Sequence, residues 1–242
     1  MKKLKKNILL IALTAIIAII CCGCSAGSQA KNDDVTYTFY FLRHGETIFN
    51  VTNAVAGGWV DSPLTDHGIE VAKTLKDGFK DIDFSAAYTS ISERAWDTVN
   101  FALDGRDMVP TINEDLKEMY FGTLEGVTGD AVAQIWADPV KRLTEGWKAE
   151  GGEDFQMASE RMERAVQKAI EDHPEGGNIL LGTHGLSLMA YLQGHFGDSP
   201  VLQEFLAKSP VPDIPNCSVT IVTYHDGEFE LQTVADTSYI KE

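Results

Sequence analysis

Cysteine is scarce and badly placed for cross-linking: of four, three stand together at Cys21, Cys22 and Cys24, and the last is Cys217. A domain lying downstream of the first group therefore has one thiol and no disulfide, and must be held by packing alone. That thiol is expected to act as a small buried hydrophobe. Basic residues are also in deficit, 20 against 36 acids, giving a formal charge of −16. Such a surface disfavours nucleic acid and anionic headgroups as partners, so an anionic ligand has to be met by a local basic pocket. No spacing of histidine, cysteine and carboxylates matches a metal-ligand cluster, no segment repeats, and no low-complexity tract is present. The apolar run Ile8–Ile20 falls short of the ~20 residues that span a bilayer comfortably.

What surrounds that run explains it. "MKKLKK" is basic, "ILLIALTAIIAII" is apolar and "CCGCSAGS" is small and polar, the order of a secretory leader and its cleavage site, here residues 1–23. An uncleaved anchor is the alternative. Gly23-Cys24-Ser25 resembles the lipobox of bacterial lipoproteins, with Cys21 where leucine is usual three positions before the acceptor. The resemblance implies lipidation at Cys24, export, and attachment to the cell membrane through that lipid. Loss of Lys2, Lys3, Lys5 and Lys6 with the leader takes the formal charge from −16 to −20.

Residues 24–35 are small and polar and read as a tether, and 36–242 read as one domain. The chain's 44% apolar content is ample for its core. Strand-like runs are expected at Tyr37–Leu42, "FSAAYTS", "MVPTI" and "NILLGT", with "CSVTIVTY" and "FELQTVAD" forming a terminal hairpin about "HDGE". Helical periodicity falls on Asp66–Phe79, capped through Asp66 and Glu70, on Glu93–Leu103, on Asp154–Asp172 and on Leu186–His195. Alternation of this kind predicts an α/β fold, a three-layer sandwich whose mainly parallel central sheet is flanked by helices. Leu116–Gly152, rich in glycine, tryptophan and charge, reads as a partly helical insertion over one end of the sheet. Trp59, Trp96, Trp136 and Trp147 are expected in core or lid.

Two of these strands end alike. "FYFL" runs into Arg43-His44-Gly45, and "NILLG" runs into Thr183-His184-Gly185. An arginine beside a histidine at the end of a buried strand is costly to desolvate, and a bound anion would resolve the conflict. In open α/β sheets ligands sit beyond the carboxyl ends of the strands, so both His-Gly pairs could face one pocket.

"LRHGET…N" resembles the opening motif of the histidine phosphatase superfamily, in its phosphoglycerate mutase-like branch. "GGWVDSPLTDHG", "YTSISERAWDT", "LKEMYFGTLEG", "GGEDF" and "LLGTHG" follow in that family's order. The resemblance implies that His44 is the nucleophile that becomes phosphohistidine. It implies that Arg43, Arg94 and His184 hold the phosphoryl oxygens, that Asn50 is a further donor, and that Glu118 is the general acid. It also implies that no metal and no cofactor is needed. The chemistry is coherent. A neutral imidazole is nucleophilic, neighbouring arginines disfavour its protonation, and guanidinium forks match phosphate oxygens. Transfer to histidine and then to water splits one hard step into two easier ones.

Hydrolysis of a small phosphomonoester is the expected reaction. Phosphoglycerate mutase-type transfer is the alternative, weakened because Leu186 follows the second His-Gly pair where mutases commonly carry asparagine, and because Lys141, Arg142 and Lys148 are the only cations of the insertion after Glu118. A non-catalytic surface-binding lipoprotein is the third reading. The sequence specifies neither the natural alcohol nor an oligomeric state.

Overall fold

The computed structural model describes residues 35–129, 146, 148–208 and 214–241. The leader, Cys24 and residues 24–34 of the tether lie outside the described residues, as do Trp136, Lys141, Arg142 and Trp147.

Six strands form one sheet: β1 (Thr36–Arg43), β2 (Phe84–Thr89), β3 (Thr111–Ile112), β4 (Gly177–Thr183), β5 (Val219–His225) and β6 (Glu228–Asp236), in spatial order β3-β2-β4-β1-β5-β6. The first four run parallel, and β5 and β6 are antiparallel. The helices are α1 (Ile48–Thr52), α2 (Asp66–Gly78), α3 (Glu93–Ala102), α4 (Phe155–Asp172), α5 (Gly185–Phe196) and α6 (Pro200–Ala207). Side chains alternate across β1. Phe39 and Phe41 enter a core with Met162 and Val166 of α4 and Leu188 and Tyr191 of α5, while Leu42 enters a second core with Leu75 of α2 and Val99 of α3. Both faces of the sheet are covered, which is why β1 and β4 read as nearly continuous apolar runs. The expected three-layer α/β sandwich is what forms.

Local departures have local reasons. Thr65, one residue before the expected cap, accepts from the Gly68 N–H at 2.9 Å and starts α2. Gly68 is required there, because a Cβ would lie 2.2 Å from the Glu46 carbonyl oxygen. The sequence reading missed α1, whose capping box joins Thr47 to Asn50, and α6, which starts at Ser199-Pro200. The hairpin turn is as expected, with Asp226 and Gly227 both at positive φ. Cys217 is buried but precedes β5 in a left-handed conformation, where its N–H reaches the carbonyls of Arg43 and His44. The described part of the insertion begins in two single-turn 3-10 helices, Glu114–Leu116 and Gly122–Leu124. The Leu116 carbonyl accepts from Thr183 Oγ1 at 2.9 Å, which seats this segment on the end of β4.

Candidate active site

Register brings the two histidines together. Arg43 pairs with Thr183 at the carboxyl ends of the adjacent parallel strands β1 and β4, so the next residue on each strand is His44 and His184. Their rings lie 5.2 Å apart, both buried. His44 Nδ1 lies 2.7 Å from the Gly45 carbonyl oxygen, a partner that can only accept. That contact assigns the proton to Nδ1 and leaves Nε2 with a free lone pair. Burial, then the charges of Arg94 and Arg43, hold the His44 pKa well below its ordinary 6.5. His184 is displaced the same way by burial, Arg94, His44, Arg161 and Arg43. Both imidazoles are therefore neutral at neutral pH.

Arg94 enters from the first turn of α3 and is fully buried. Its Nη1 pairs with Asp61 Oδ1, and its Nη2 donates to the Gly57 carbonyl at 3.2 Å. Its Nε has no partner among the described residues, and neither has His184 Nδ1, whose Nε2 is 2.8 Å from Ser90 Oγ. Unmatched polar atoms this deep are rare unless a ligand completes them. Arg43, at the end of β1, donates from Nη1 to the Ile214 carbonyl. Four of the sequence-predicted residues, Arg43, His44, Arg94 and His184, thus form one buried cluster.

Glu118 and Asn50 stand differently. The apolar residues that follow Glu118 in sequence do not form a shell around its carboxylate. Met119 and Phe121 point into the core, and the Glu118 carboxylate faces backbone donors. Its Oε1 accepts from Met119 N at 2.7 Å and Ser187 N at 2.8 Å, and its Oε2 from Leu186 N at 3.2 Å. It thereby occupies the N-terminus of α5, immediately beyond His184, where first-turn N–H groups lack helical acceptors. Asn50 lies in α1 with its Oδ1 accepting from Thr47 N and Thr47 Oγ1, both at 3.0 Å. Its Nδ2 makes no hydrogen bond among the described residues, so both of its N–H donors remain for a ligand.

Several positioning groups were not read from the sequence. Asn216 Nδ2 donates to the His44 and Gly45 carbonyls at 2.9 and 3.2 Å. Gly45 N donates to Thr98 Oγ1, which donates to the Arg94 carbonyl, so β1 and α3 are tied at the cluster. Arg161 of α4 reaches the carbonyls of Asp115 and Lys117 and pairs with Glu153 at 2.8 Å, which steadies the chain entering Glu118. Glu125 accepts from four backbone donors, Gly58, Trp59, Val60 and Phe121. Gly57 must be glycine beside it, because a Cβ would meet the Glu125 carboxylate at 2.1 Å. Asp154 caps α4 by accepting from Met157 N at 2.9 Å. Of the core-or-lid expectation for Trp59, core does not hold: the side chain is 72% exposed.

A model of the histidine phosphatase superfamily (branch 1) matches residues 39–237. The chain is similar to phosphoglycerate mutase of Schizosaccharomyces pombe, 32% identical over 181 residues, 70% of this chain and 85% of that protein. It is also 32% identical to adenosylcobalamin/alpha-ribazole phosphatase of Salmonella typhimurium over 148 residues, 60% of this chain and 72% of that one. Among solved structures, Bacillus stearothermophilus YhfR superposes with a TM-score of 0.71 at 32% identity, covering 85% of this chain and all, 100%, of the other. Phosphoglycerate mutase from Bacillus anthracis gives 0.68 at 28% identity, covering 86% and 96%. With the family model spanning nearly all of the folded part, and mutases and phosphatases both among its relatives, the chain belongs to branch 1 of the histidine phosphatase superfamily.

Proposed function

We propose that this protein hydrolyses phosphomonoesters through a phosphohistidine on His44, without a metal. One observation carries the reading: the buried, unmatched Arg94 Nε and His184 Nδ1 beside a histidine whose Nε2 lone pair is free. A tetrahedral dianion supplies the missing acceptors, and the arginines offset the charge that a metal would otherwise neutralise. In the first step Nε2 attacks phosphorus, the P–O bond to the alcohol breaks, and Glu118, which enters the cycle protonated, gives the leaving oxygen its proton. In the second, water attacks phosphorus, Glu118 takes a proton from that water, and the N–P bond breaks. Arg43, Arg94, His184 and the Asn50 amide nitrogen hold the three non-bridging oxygens throughout. In this reading the protein is exported and held at the membrane by a lipid on Cys24, where small phosphate esters outside the cell reach it.

Phosphoglycerate mutase-type transfer is the second reading, favoured by the mutase relatives. The Leu186 side chain following His184-Gly185 is against it, since a polar group there would serve a retained phosphoryl better. The test is turnover of a chromogenic phosphomonoester by the full-length chain in detergent with a chelator present, beside His44→Ala. Chelator-resistant turnover that disappears in His44→Ala, with acid-labile phosphate trapped on the wild type, is the expected result. Turnover that needs added metal or survives in His44→Ala overturns the proposal. Exchange of phosphate between phosphoglycerates without release would favour the mutase reading.

A further inference from the structure

Beside the cradle lies a cleft of about 390 Å³ that the chemistry above does not use. Its floor is shared with the phosphate site. Gly57 and Asp61 line it and hold Arg94, and Ser92 lines it through a hydroxyl 3.3 Å from Ser90 Oγ, the partner of His184. Two large apolar side chains stand open at it, Trp59 and Ile91, the latter 53% exposed. The Trp59 ring is nevertheless held in one orientation. Lys117 Nζ lies 5.6 Å from its centroid, the Tyr120 ring meets it edge-on at 5.8 Å, and Glu125 accepts from the Trp59 backbone N–H at 2.9 Å. A fixed, exposed aromatic face next to a buried anion cradle is a surface on which an apolar group of the ligand can pack.

Resting on the phosphatase reading above, we propose that this cleft receives the alcohol half of the substrate and that this half carries an uncharged ring, aryl or heteroaryl, which packs between Trp59 and Ile91. Charge excludes the acidic alternative. The cleft's lining carries one lysine, Lys117, beside one carboxylate unpaired among the described residues, Glu114, while Asp61 is already paired with Arg94, so a leaving group bearing its own carboxylate finds no net positive charge there. A ring, by contrast, gains contact area and stacking from a platform whose ordering cost is already met.

The experiment compares 2-phenylethyl phosphate with n-propyl phosphate, whose leaving alcohols are of similar basicity, so that selectivity reports contact and not intrinsic reactivity. Full-length protein is expected to prefer the phenyl ester by roughly tenfold in kcat/KM, with 3-phosphoglycerate the poorest of the three. In Trp59→Ala the preference falls to roughly twofold, and Ile91→Ala gives an intermediate ratio. Val109→Ala, an exposed apolar residue outside the cleft, keeps the wild-type ratio. Equal turnover of both esters by wild type, or a preference unchanged in Trp59→Ala, overturns the ring subsite while leaving the phosphatase standing. No turnover of either ester, and no phosphohistidine, removes the phosphatase reading and the subsite with it.

Discussion

At the ends of β1 and β4 the residues proposed to hold a phosphoryl group are buried, while one loop away, at Gly57–Asp61, the chain offers side chains to solvent. Arg94 exposes none of its surface and Trp59 exposes 72%, although Gly57 and Asp61 touch the first and flank the second. On the proposed reading, the difference follows from what each region binds. A phosphoryl group is invariant and doubly charged, so its receptor gains most from low dielectric, fixed donors and neutral imidazoles. An alcohol varies, and an exposed ring on a pinned loop meets it with contact area alone. On that reading a chain of formal charge −16 meets its anion in a desolvated cluster of arginines and neutral imidazoles.

If the cradle reads only the phosphoryl group, damage to it should be blind to the alcohol. Arg94→Lys replaces a planar fork by a point charge that cannot serve Asp61, Gly57 and a phosphate oxygen together. The expected loss in kcat/KM is about 10²–10³-fold, equal for phenylethyl and propyl esters within a factor of about two. Steady-state kinetics on both esters is the check, and an ester-selective loss would break the separation of the two regions.

Burial of the imidazoles gives the cradle a second signature, in stability. His44 and His184 have depressed pKa values in the folded protein, mainly through burial. As pH falls through ~6.5 the unfolded chain binds a proton at each histidine, and the folded one does not until far lower. The unfolded state then holds more protons, so stability drops on acidification, by about 1.4 kcal/mol per pH unit for each histidine. Urea midpoints at pH 7.5, 6.5 and 5.5 measure it, and His184→Asn should halve the slope below pH 6.5. An unchanged slope would mean that His184 titrates freely in the folded protein. Kinetically, the same depression keeps the nucleophile neutral, so the acid limb of kcat/KM assigned to His44 lies below 6.5.

That the two histidines would face one pocket was legible before the fold was known because it is marked locally: strand, turn and His-Gly recur twice and parallel register does the rest, whereas Arg94 was indicated only by the family resemblance. Asp154 at the start of α4 and the Asp-Gly hairpin were legible for the same reason. The wall was not. Asp61 meets Arg94 across 33 residues, and Asn216 meets the His44 carbonyl across 172, so nothing near either residue in sequence announces its partner. Glu118 shows the other failure. Its neighbours in sequence are apolar, but Met119 and Phe121 turn into the core and leave the carboxylate against the first N–H groups of α5. The helix α6 was missed despite its Ser-Pro start, because Pro200 on its own is as good a signal for a turn.

Glu125 sits where the two regions join, and it provides the finest test of the comparison. Its Oε1 accepts from Gly58 N and Phe121 N, both at 3.0 Å, and its Oε2 from Trp59 N at 2.9 Å and Val60 N at 2.6 Å. Glu125→Gln keeps the shape but turns one of those acceptors into an NH₂ group facing two N–H donors, which cannot be satisfied together. The Trp59 platform should loosen while Arg94 keeps Asp61. The expected result is a stability loss of about 1–2 kcal/mol and a phenylethyl-to-propyl preference reduced roughly threefold, with propyl phosphate turnover falling least. A wild-type ratio in Glu125→Gln would show that the Asp61–Arg94 pair alone holds the loop, and that cradle and wall are one mechanical unit.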